Sequence, residues 1–357
     1  MGEASSQRVS INTIRILVIR RRYLGDIILL GTTIANLHRH WPEADICLLV
    51  DPAYQDIPPL IPHVTRTLVM PATATAWPRF LLRVRRQRFT HVFDFDNTER
   101  TVAAVAATGA PFRTTYARED RRTRFPGAYT HLASLSRKVG DSQPAIDTYH
   151  LLLRSAGIST PLNELHLITG KSARNRAHRL ISGPSRKVLL HPGTRSPFRL
   201  WPTERFAALI DRIQDELDAQ VFLAGGPSDL ATVREIRAQT KTHVIVLEQA
   251  FSVEEFAALV AQCHLFVCHD SGPMHIAAAV STRVVALFGS QNAAIWRPHG
   301  PGHVALQTDL PCTCFPATQL PSSCVPHDAY RSYCVRKLSV DQVFAAIQSQ
   351  LDCTPDT

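Results

Sequence analysis

The stretch FVCHDSGPMHIAAAV, residues 266–280, places an aspartate, a glycine and a proline between two apolar segments. The first segment predicts a buried strand that ends at Asp270, and the second predicts a helix that begins near Gly272. Ser271 or Asp270 is the expected N-cap, and Pro273 stands at an early helical position that tolerates proline. Because the free amides at a helix start attract anions, we predict that this turn forms a ligand-binding rim.

Strands and helices alternate through most of the remaining chain. The elements predicted for the first part are strands over 14–20, 45–51 and 91–96 and helices over 26–42 and 97–109. The same alternation restarts at 187–193 and continues to a last helix over 339–351. Such alternation implies parallel sheets that are covered by helices on both faces.

The chain has 357 residues, which is more than one hydrophobic core usually serves. We therefore predict an α/β protein with two Rossmann-like, doubly wound parallel-sheet domains and a cleft between them. The first domain is expected over 1–170 and the second over 188–357, with a C-terminal helix. Residues 171–187 are polar and rich in Gly and Pro toward their end, which predicts a linker with at most one helical turn.

Charge is distributed unevenly between the two parts. Residues 1–187 hold 27 Lys+Arg and 14 Asp+Glu, a net charge of +13, whereas residues 188–357 carry −4. A basic N-terminal part suits a polyanionic partner, such as nucleic acid, an acidic membrane surface or a phosphorylated glycan. We find no nucleic-acid motif, so we expect no nucleic-acid partner. The first strand–turn lacks G-x-G-x-x-G, which argues against an NAD-dependent oxidoreductase.

Loops after the strands should carry the ligand-binding residues, because ligands of doubly wound sheets bind outside the carboxyl ends of the strands. In RRRYLGDII, Gly25 permits a tight turn and Asp26 opens the next helix, either as a plain N-cap or as a carboxylate facing the cleft. In HPGTRSPFRLWP, residues 191–202, the hydroxyl of Thr194 and the cations of Arg195 and Arg199 suit phosphate oxygens.

Two further loops complete this set of candidates. In LAGGPSD, Gly225 and Gly226 allow a ligand to approach the backbone closely, although a simple turn explains them equally well. In the opening stretch, His275 lies one turn into the helix, where it is either a donor to the ligand or a core histidine. Asp270 would repel a phosphate and is better suited to accept hydrogen bonds from sugar hydroxyls.

The segments YLGDIIL, HPGTRSPFRLWP, FLAGGPSD and HDSGPMHIAAAVSTRVVALFGSQNAAIWRPHG resemble the ADP-heptose:lipopolysaccharide heptosyltransferases of glycosyltransferase family 9. This resemblance implies the GT-B fold, with an anionic lipid A–Kdo or inner-core glycan bound as acceptor by the first domain. The second domain would bind the ADP-sugar donor. The implied reaction is an inverting heptosyl transfer that needs neither a divalent metal nor another cofactor.

The resemblance also assigns roles to residues. Asp26 would be the general base, Arg199 would hold the diphosphate, and Asp270 would hold the heptose hydroxyls. The residues expected around the diphosphate are Ser271, Gly272, Met274 and His275. The acceptor-side candidates are Arg22, Gly25, Asp96 and Asn97, with a helix cap as the alternative role of Asn97.

Several alternatives stay open at this stage. The chain could transfer another nucleotide sugar, or modify a protein acceptor such as an autotransporter; a nucleotide-sugar epimerase is a further option. We expect a cytoplasmic protein, since no apolar signal region is present, and the basic N-terminal part predicts peripheral attachment to the inner membrane without a membrane-spanning run. A structural metal site is an alternative for a cysteine group whose C-x-C spacing departs from the usual C-x₂₋₄-C. That group consists of Cys312, Cys314, Cys324 and Cys334, for which we expect reduced thiols.

Overall fold

Two parallel six-stranded sheets form the framework of the protein. The computed structural model describes residues 13–119, 122–136, 142–183, 185–195, 199–308 and 334–352. The strands of the first sheet are β1 (Arg15–Ile19), β2 (Asp45–Val50), β3 (Arg66–Val69), β4 (His91–Asp94), β5 (Phe112–Arg118) and β6 (His131–Leu135). The strands of the second are β7 (Arg186–His191), β8 (Ala219–Ala224), β9 (Ile245–Leu247), β10 (Leu265–His269), β11 (Arg283–Phe288) and β12 (Val304–Gln307).

Both sheets have the same strand order. The first runs β3-β2-β1-β4-β5-β6 and the second runs β12-β11-β10-β7-β8-β9, and every recorded strand pair is parallel. Counted from its own first strand, each sheet therefore has the doubly wound order 3-2-1-4-5-6. The order reverses between β1 and β4 and between β7 and β10, and a crevice for a ligand forms at such points. The predicted fold class is confirmed.

Helices cover both faces of each sheet. With the first sheet lie α1 (Leu24–His40), α2 (Trp77–Arg86), α3 (Glu99–Thr108) and α4 (Ala145–Ser155). With the second lie α5 (Lys171–Leu180), α6 (Thr203–Glu216), α7 (Leu230–Gln239), α8 (Val253–Val260), α9 (Gly272–Ala279), α10 (Ala293–Trp296) and α11 (Val340–Asp352). We call each sheet with its helices a lobe. No helix in the described part of the chain is long and apolar enough to cross a membrane.

Alternating side chains of β1 show how the first sheet separates two cores. Ile16 and Val18 pack with α1 and α4, whereas Leu17 and Ile19 pack with α2 and α3. Side chains of successive strand residues point to opposite faces, so a wholly apolar strand indicates burial on both sides. This is why the apolar run at 14–20 correctly predicts a central strand.

Some local predictions differ from the structure. Strands β3, β5, β6 and β12 and the helix α2 lie in segments for which no element was predicted. The helix expected from 97 is α3, and Thr98 caps it by accepting a hydrogen bond from the amide of Thr101, so Asn97 is not its cap. Helix α1 begins two residues before Asp26, which therefore is not an N-cap.

The segment expected to be a linker is largely helical. Helix α5 has ten residues, and its Ala173 and Ala177 pack in a core cluster with Leu189 and Phe222 of the second sheet. Its polar composition reflects one solvent-exposed face, while alanines fill the face against α8. The boundaries at 170 and 188 themselves stay a prediction.

The two lobes meet through helices α1 and α9, whose first residues face each other. Ile276 and Ala279 of α9 belong to the same buried cluster as Ile27 and Leu30 of α1. At the starts of these helices, Gly272 lies against the side chain of Leu24. This apolar contact holds the carboxyl edges of the two sheets on opposite sides of one crevice.

Candidate active site

A cavity of about 630 Å³ lies in the crevice between the lobes. Residues of the first lobe contribute its wall after β1, and loops after β7, β8, β10 and β11 contribute the remainder. Its lining consists of Tyr23, Leu24, Gly25, Asp26, His191, Gly193, Thr194, Arg195, Arg199, Gly226, Ser228, Asp229, Asp270, Ser271, Gly272, Pro273, His275, Gln291 and Trp296. The volume suits a small-molecule ligand. The cavity lies beside the points where the strand order of each sheet reverses, as expected for a ligand site in this fold.

Asp26 enters the cavity from the third position of α1, where its side chain is largely buried. One carboxylate oxygen, Oδ1, accepts hydrogen bonds from the guanidinium of Arg20 and from the hydroxyl of Tyr149 at 3.1 Å. No residue in the described part of the chain bonds to Oδ2. The carboxylate is therefore held by one oxygen and presents the other to a ligand.

Arg20 connects Asp26 to the adjacent strand end. Its guanidinium also pairs with Asp96 Oδ1 at 3.2 Å and donates to the carbonyl of Phe95 at 3.1 Å. Burial raises the pKa of Asp96, although Arg20 opposes that shift. Asp96 is thus the second anchor of the arginine that positions Asp26, and it does not line the cavity.

Asp94 organises the turn after β4. It is fully buried and accepts hydrogen bonds from the amide of Asp96 at 2.9 Å and from the hydroxyl of Tyr129 at 2.7 Å. Burial, with a smaller contribution from the charge of Asp96, raises the pKa of Asp94 to about 6. Asn97 binds the carbonyl of Arg124 and the Tyr129 hydroxyl, so it fastens the neighbouring loop to this turn.

Arg199 and Asp270 face Asp26 from the second lobe. Nη1 of Arg199 lies 3.3 Å from Oδ2 of Asp270. Burial raises the pKa of Asp270 to about 6, although Arg199 pulls it downward. Because the carboxylate follows β10 and the arginine follows β7, the pair spans the switch point of the second sheet.

Three buried polar atoms around this pair lack a partner among the residues that the structure describes. They are Thr194 Oγ1, Ser271 Oγ and Arg199 Nε. Buried polar atoms are normally hydrogen-bonded, so such atoms at a cavity indicate a place for a polar ligand. The amides of Ser271 and Gly272 at the start of α9 also favour a polar ligand here, because the first amides of a helix have no intrahelical partner.

His275 closes the floor of the cavity where the lobes touch. A Cβ atom added to Gly25 would lie 2.5 Å from Cδ2 of His275, so glycine is required for this approach. Burial lowers the pKa of His275 to about 4, although Asp26 opposes the shift. The imidazole is therefore neutral at neutral pH, and one of its nitrogens can still donate a hydrogen bond.

Substituting Gly25 by alanine should push His275 away and separate Asp26 from Arg199. We expect kcat/KM to fall roughly 10- to 100-fold, because small displacements of reacting groups are costly. Steady-state kinetics of Gly25→Ala measures this effect. Gly127→Ala is the control, since a Cβ atom there would have no neighbour within 4 Å and Gly127 does not line the cavity. Adding His275→Ala to Gly25→Ala should recover part of the lost activity; no recovery would contradict the steric explanation.

The structure places the other sequence candidates as follows. Arg195 lines the cavity and reaches across it, with its guanidinium 3.3 Å from the hydroxyl of Tyr54 and 5.2 Å from the ring centre of Tyr23. Gly225 packs on Asp229 and Val233 without lining the cavity, and Met274 is fully buried in the core of the second lobe.

Two predicted acceptor-side residues also stand back from the cavity. Arg22 is exposed and pairs with Asp51 at 3.1 Å. Asn97 holds the loop near residue 124, as described above. Of the four acceptor candidates, Gly25 alone lines the cavity, and Asp96 acts on it through Arg20.

Other lining or supporting residues were not predicted. Asp229 accepts a hydrogen bond from the amide of Gly226 at 2.9 Å and lies beside His191, which lines the cavity as well. Tyr149 supports Asp26 from a helix more than a hundred residues away. The aspartate in LAGGPSD was a visible signal for the first of these, whereas nothing local marks Tyr149.

Three of the four cysteines considered as a metal site, Cys312, Cys314 and Cys324, lie outside the described residues. Cys334 is described and is buried. Among the residues that the structure describes, no group of three or more His, Cys, Asp or Glu side chains could hold a metal ion. The cysteine segment therefore stays an open prediction.

The chain is similar to known proteins in both sequence and structure. The family model described as glycosyltransferase family 9 (heptosyltransferase) matches residues 77–320. Lipopolysaccharide heptosyltransferase 3 of Escherichia coli K12 is 27% identical over 302 residues, covering 78% of this chain and 83% of the relative.

Two solved structures have the same fold. The glycosyltransferase family 9 protein from Veillonella parvula matches with a TM-score of 0.80 and 23% identity, covering 95% of this chain and 97% of that one. The ADP-heptose lipopolysaccharide heptosyltransferase II of E. coli matches with a TM-score of 0.76 and 19% identity, covering 95% and 98%.

Proposed function

Because the chain belongs to glycosyltransferase family 9, the heptosyltransferase family, we propose that this glycosyltransferase moves heptose from ADP-heptose to a lipopolysaccharide inner-core acceptor. The acceptor sugar would be Kdo or heptose. The relatives named as lipopolysaccharide heptosyltransferases support the class of donor and acceptor. Two doubly wound sheets with an intervening crevice are the GT-B arrangement that the family resemblance implies.

One observation carries this proposal: a carboxylate from one lobe faces a phosphate-type site from the other across a single cavity. Asp26 stands on the first-lobe wall, and Arg199 stands on the second-lobe wall with the start of α9. An inverting glycosyl transfer needs these two functions on opposite sides of the anomeric carbon. Attack from the Asp26 side with departure toward Arg199 would invert the configuration at that carbon.

In the proposed step, Oδ2 of Asp26 takes the proton of an acceptor hydroxyl. The freed oxygen forms a bond to the anomeric carbon while the bond from that carbon to the diphosphate oxygen breaks. The electron pair of the broken bond stays on the diphosphate, and ADP leaves. Asp270 would accept hydrogen bonds from sugar hydroxyls of the donor.

Charge on the leaving diphosphate must be stabilised as it develops. Arg199 supplies a cation, and the amides of Ser271 and Gly272 supply dipoles fixed by the fold. The hydroxyls of Thr194 and Ser271 are further donors that lack a partner among the described residues. These groups can do the work of a divalent cation, so we propose a metal-independent reaction.

Acceptor binding falls to the basic first lobe. A lipid-linked, anionic acceptor would bring the enzyme to the cytoplasmic surface of the inner membrane as a peripheral protein. The net charge of +7 over residues 1–170 supports this part of the proposal, because an acidic surface attracts such a lobe.

Product analysis with a panel of nucleotide sugars tests the proposal. With a defined inner-core acceptor, we expect kcat/KM for ADP-heptose to exceed that for UDP- and GDP-sugars by about 10²-fold or more. The new linkage should have the anomeric configuration opposite to that of the donor, and EDTA should leave the rate unchanged. Equal use of UDP-sugars, or transfer to a protein acceptor in place of the glycan, would favour the alternatives instead.

A further inference from the structure

A long acid-free segment of the first lobe concentrates positive charge on one helix. Between Asp56 and Asp94 the chain contains six arginines and no acidic residue. Five of the six lie on α2 or directly after it, at Arg79, Arg83, Arg85, Arg86 and Arg88. All five side chains are exposed. The charge excess of the first lobe is therefore gathered on an outer surface, away from the cavity.

Helix α2 is strongly two-sided. Phe80 and Val84 are buried against the sheet, whereas Leu82 on the opposite side is 50% exposed. Positions three and four residues apart share a helix face, so Arg79, Arg85 and Arg86 surround Leu82. The outer face therefore presents one apolar side chain inside a ring of cations.

Acidic side chains in the described part of the chain do not pair with these cations. In the described part of the chain, none of the five arginines of α2 and its end forms an ion pair, whereas Arg212 on the second lobe pairs with both Glu216 and Asp341. The helix dipole stabilises arginines in the last turn, which accounts for part of the clustering of arginines on α2. The dipole does not explain Arg79 in the first turn or the exposed leucine.

A second exposed apolar residue lies on the same side of the lobe. Helix α3 packs beside α2, and the short turn Pro126–Ala128 packs on α3. Phe125, just before that turn, is 63% exposed, and the exposed Arg124 precedes it. On α3, which lies between α2 and this turn, the small side chain of Ala106 is exposed. Arg124 itself pairs with the exposed Glu99 at 2.7 Å, so we name the exposed set Arg79, Leu82, Arg83, Arg86 and Phe125 the basic face.

We propose that the basic face docks onto an anionic phospholipid bilayer, with Leu82 and Phe125 entering the headgroup region and the arginines binding lipid phosphates. Basic helices with a few apolar side chains bind membrane interfaces in this way. Nucleic acid would use the arginines and leave Leu82 without a role. The inference deepens the peripheral attachment in the proposed function and rests on that part of it.

The position of the basic face suits a lipid-linked acceptor. The amide of Arg124 donates to Asn97 at 2.7 Å, and Asn97 belongs to the turn that anchors Arg20 and thus Asp26. The loop that carries Phe125 is therefore tied to the carboxyl edge of the first sheet, where the cavity opens. A bilayer at this face would therefore contact the loop that is joined to the turn anchoring Arg20 and Asp26.

Co-sedimentation of the full chain with lipid vesicles tests the proposal. We expect binding to vesicles of phosphatidylcholine mixed with phosphatidylglycerol and much weaker binding to phosphatidylcholine alone. The double variant Arg83→Glu with Arg86→Glu should weaken binding to the mixed vesicles at least about tenfold, because two cations become anions at an acidic surface. Leu82→Ser should also weaken it and leave a remainder that is more sensitive to salt.

Matched controls separate the basic face from general charge. Arg234→Glu with Arg237→Glu makes the same charge change at the same spacing on α7 of the second lobe, where both side chains are exposed. Leu162→Ser removes another leucine, one that is 43% exposed. Control variants that lose as much vesicle binding as the test variants would overturn the proposal. Tighter binding to a duplex oligonucleotide than to mixed vesicles would overturn it too.

Transfer to a soluble acceptor that lacks the lipid distinguishes this inference from the proposed function. The Leu82 and Arg83/Arg86 variants should keep wild-type kcat/KM in that assay, because none of these residues lines the cavity. Equal losses of soluble transfer and vesicle binding would indicate a folding defect and contradict a docking role. Vesicle binding by a wild-type protein that transfers no heptose would support the docking surface and reject the donor assignment alone.

Discussion

Asp26→Asn is expected to lower kcat by about 10²- to 10⁴-fold, which is the usual contribution of a general base. Asparagine keeps an oxygen that can accept from Arg20 and Tyr149, so the local geometry should persist. It replaces the second oxygen by an amide that cannot take a proton. The KM for ADP-heptose should stay within a few-fold, because the donor is proposed to bind on the opposite wall. Steady-state release of ADP in the presence of acceptor measures both parameters.

Asp45→Asn provides the matched control for this substitution. Asp45 begins β2 at the opposite edge of the same sheet and pairs with Arg66, so it has the same type of partner without facing the cavity. Its substitution should leave kcat within about twofold, as for most changes away from a site. If Asp26→Asn retains wild-type turnover on an authentic acceptor, the assignment of the base is wrong. Equal losses in both variants would point to a general effect of removing an ion pair.

Arg199→Met is expected to lower kcat/KM by about 10²- to 10³-fold, the cost of losing one preorganised donor to a developing anion. Methionine has a similar reach and no charge, so the leaving diphosphate loses its cation. Asp270 also loses the neighbour that opposes the burial-driven rise of its pKa, which should move further upward. Calorimetric titration with ADP should show weaker binding, in addition to the slower turnover.

Two comparisons sharpen the Arg199 experiment. Arg199→Lys keeps the charge with a different geometry and should recover part of the activity lost in Arg199→Met. Arg234→Met makes the same change at an exposed arginine of α7 and should leave both ADP binding and turnover unchanged. Undiminished ADP affinity in Arg199→Met would remove this residue from the donor site.

The alternation of apolar runs was sufficient to predict two doubly wound sheets. Each central strand is buried on both faces, which requires a continuous apolar run, and each helix needs an apolar stripe. The predictions failed where these requirements relax. Strand β6 exposes much of one face, so it lacks a continuous apolar run, and α2 is a short helix whose buried residues are only Phe80 and Val84.

The candidate site was predictable in part, because strand ends and helix starts are visible in a sequence. Gly25, Asp26, Arg199 and Asp270 each follow a predicted strand, and the cavity brings all four together. The same reasoning placed Met274 beside the ligand, whereas its side chain lies in the core. A helix that starts at a site still directs some of its side chains into the core. Arg22 was an acceptor-side candidate, and in the structure its guanidinium forms an ion pair with Asp51.

The amino-acid sequence by itself determined the fold class, several loops that line the cavity and the excess of positive charge in the first lobe. These properties depend on local periodicity and on short segments, which a single chain displays without its partners. Tertiary structure alone decided that Tyr149 and Arg20 share one oxygen of Asp26, and that Asp96 anchors Arg20. It also decided that Gly25 meets His275 across the lobes. Such contacts depend on strand order and on the packing of α1 against α9, and residues so distant along the chain carry no mutual signal in one sequence.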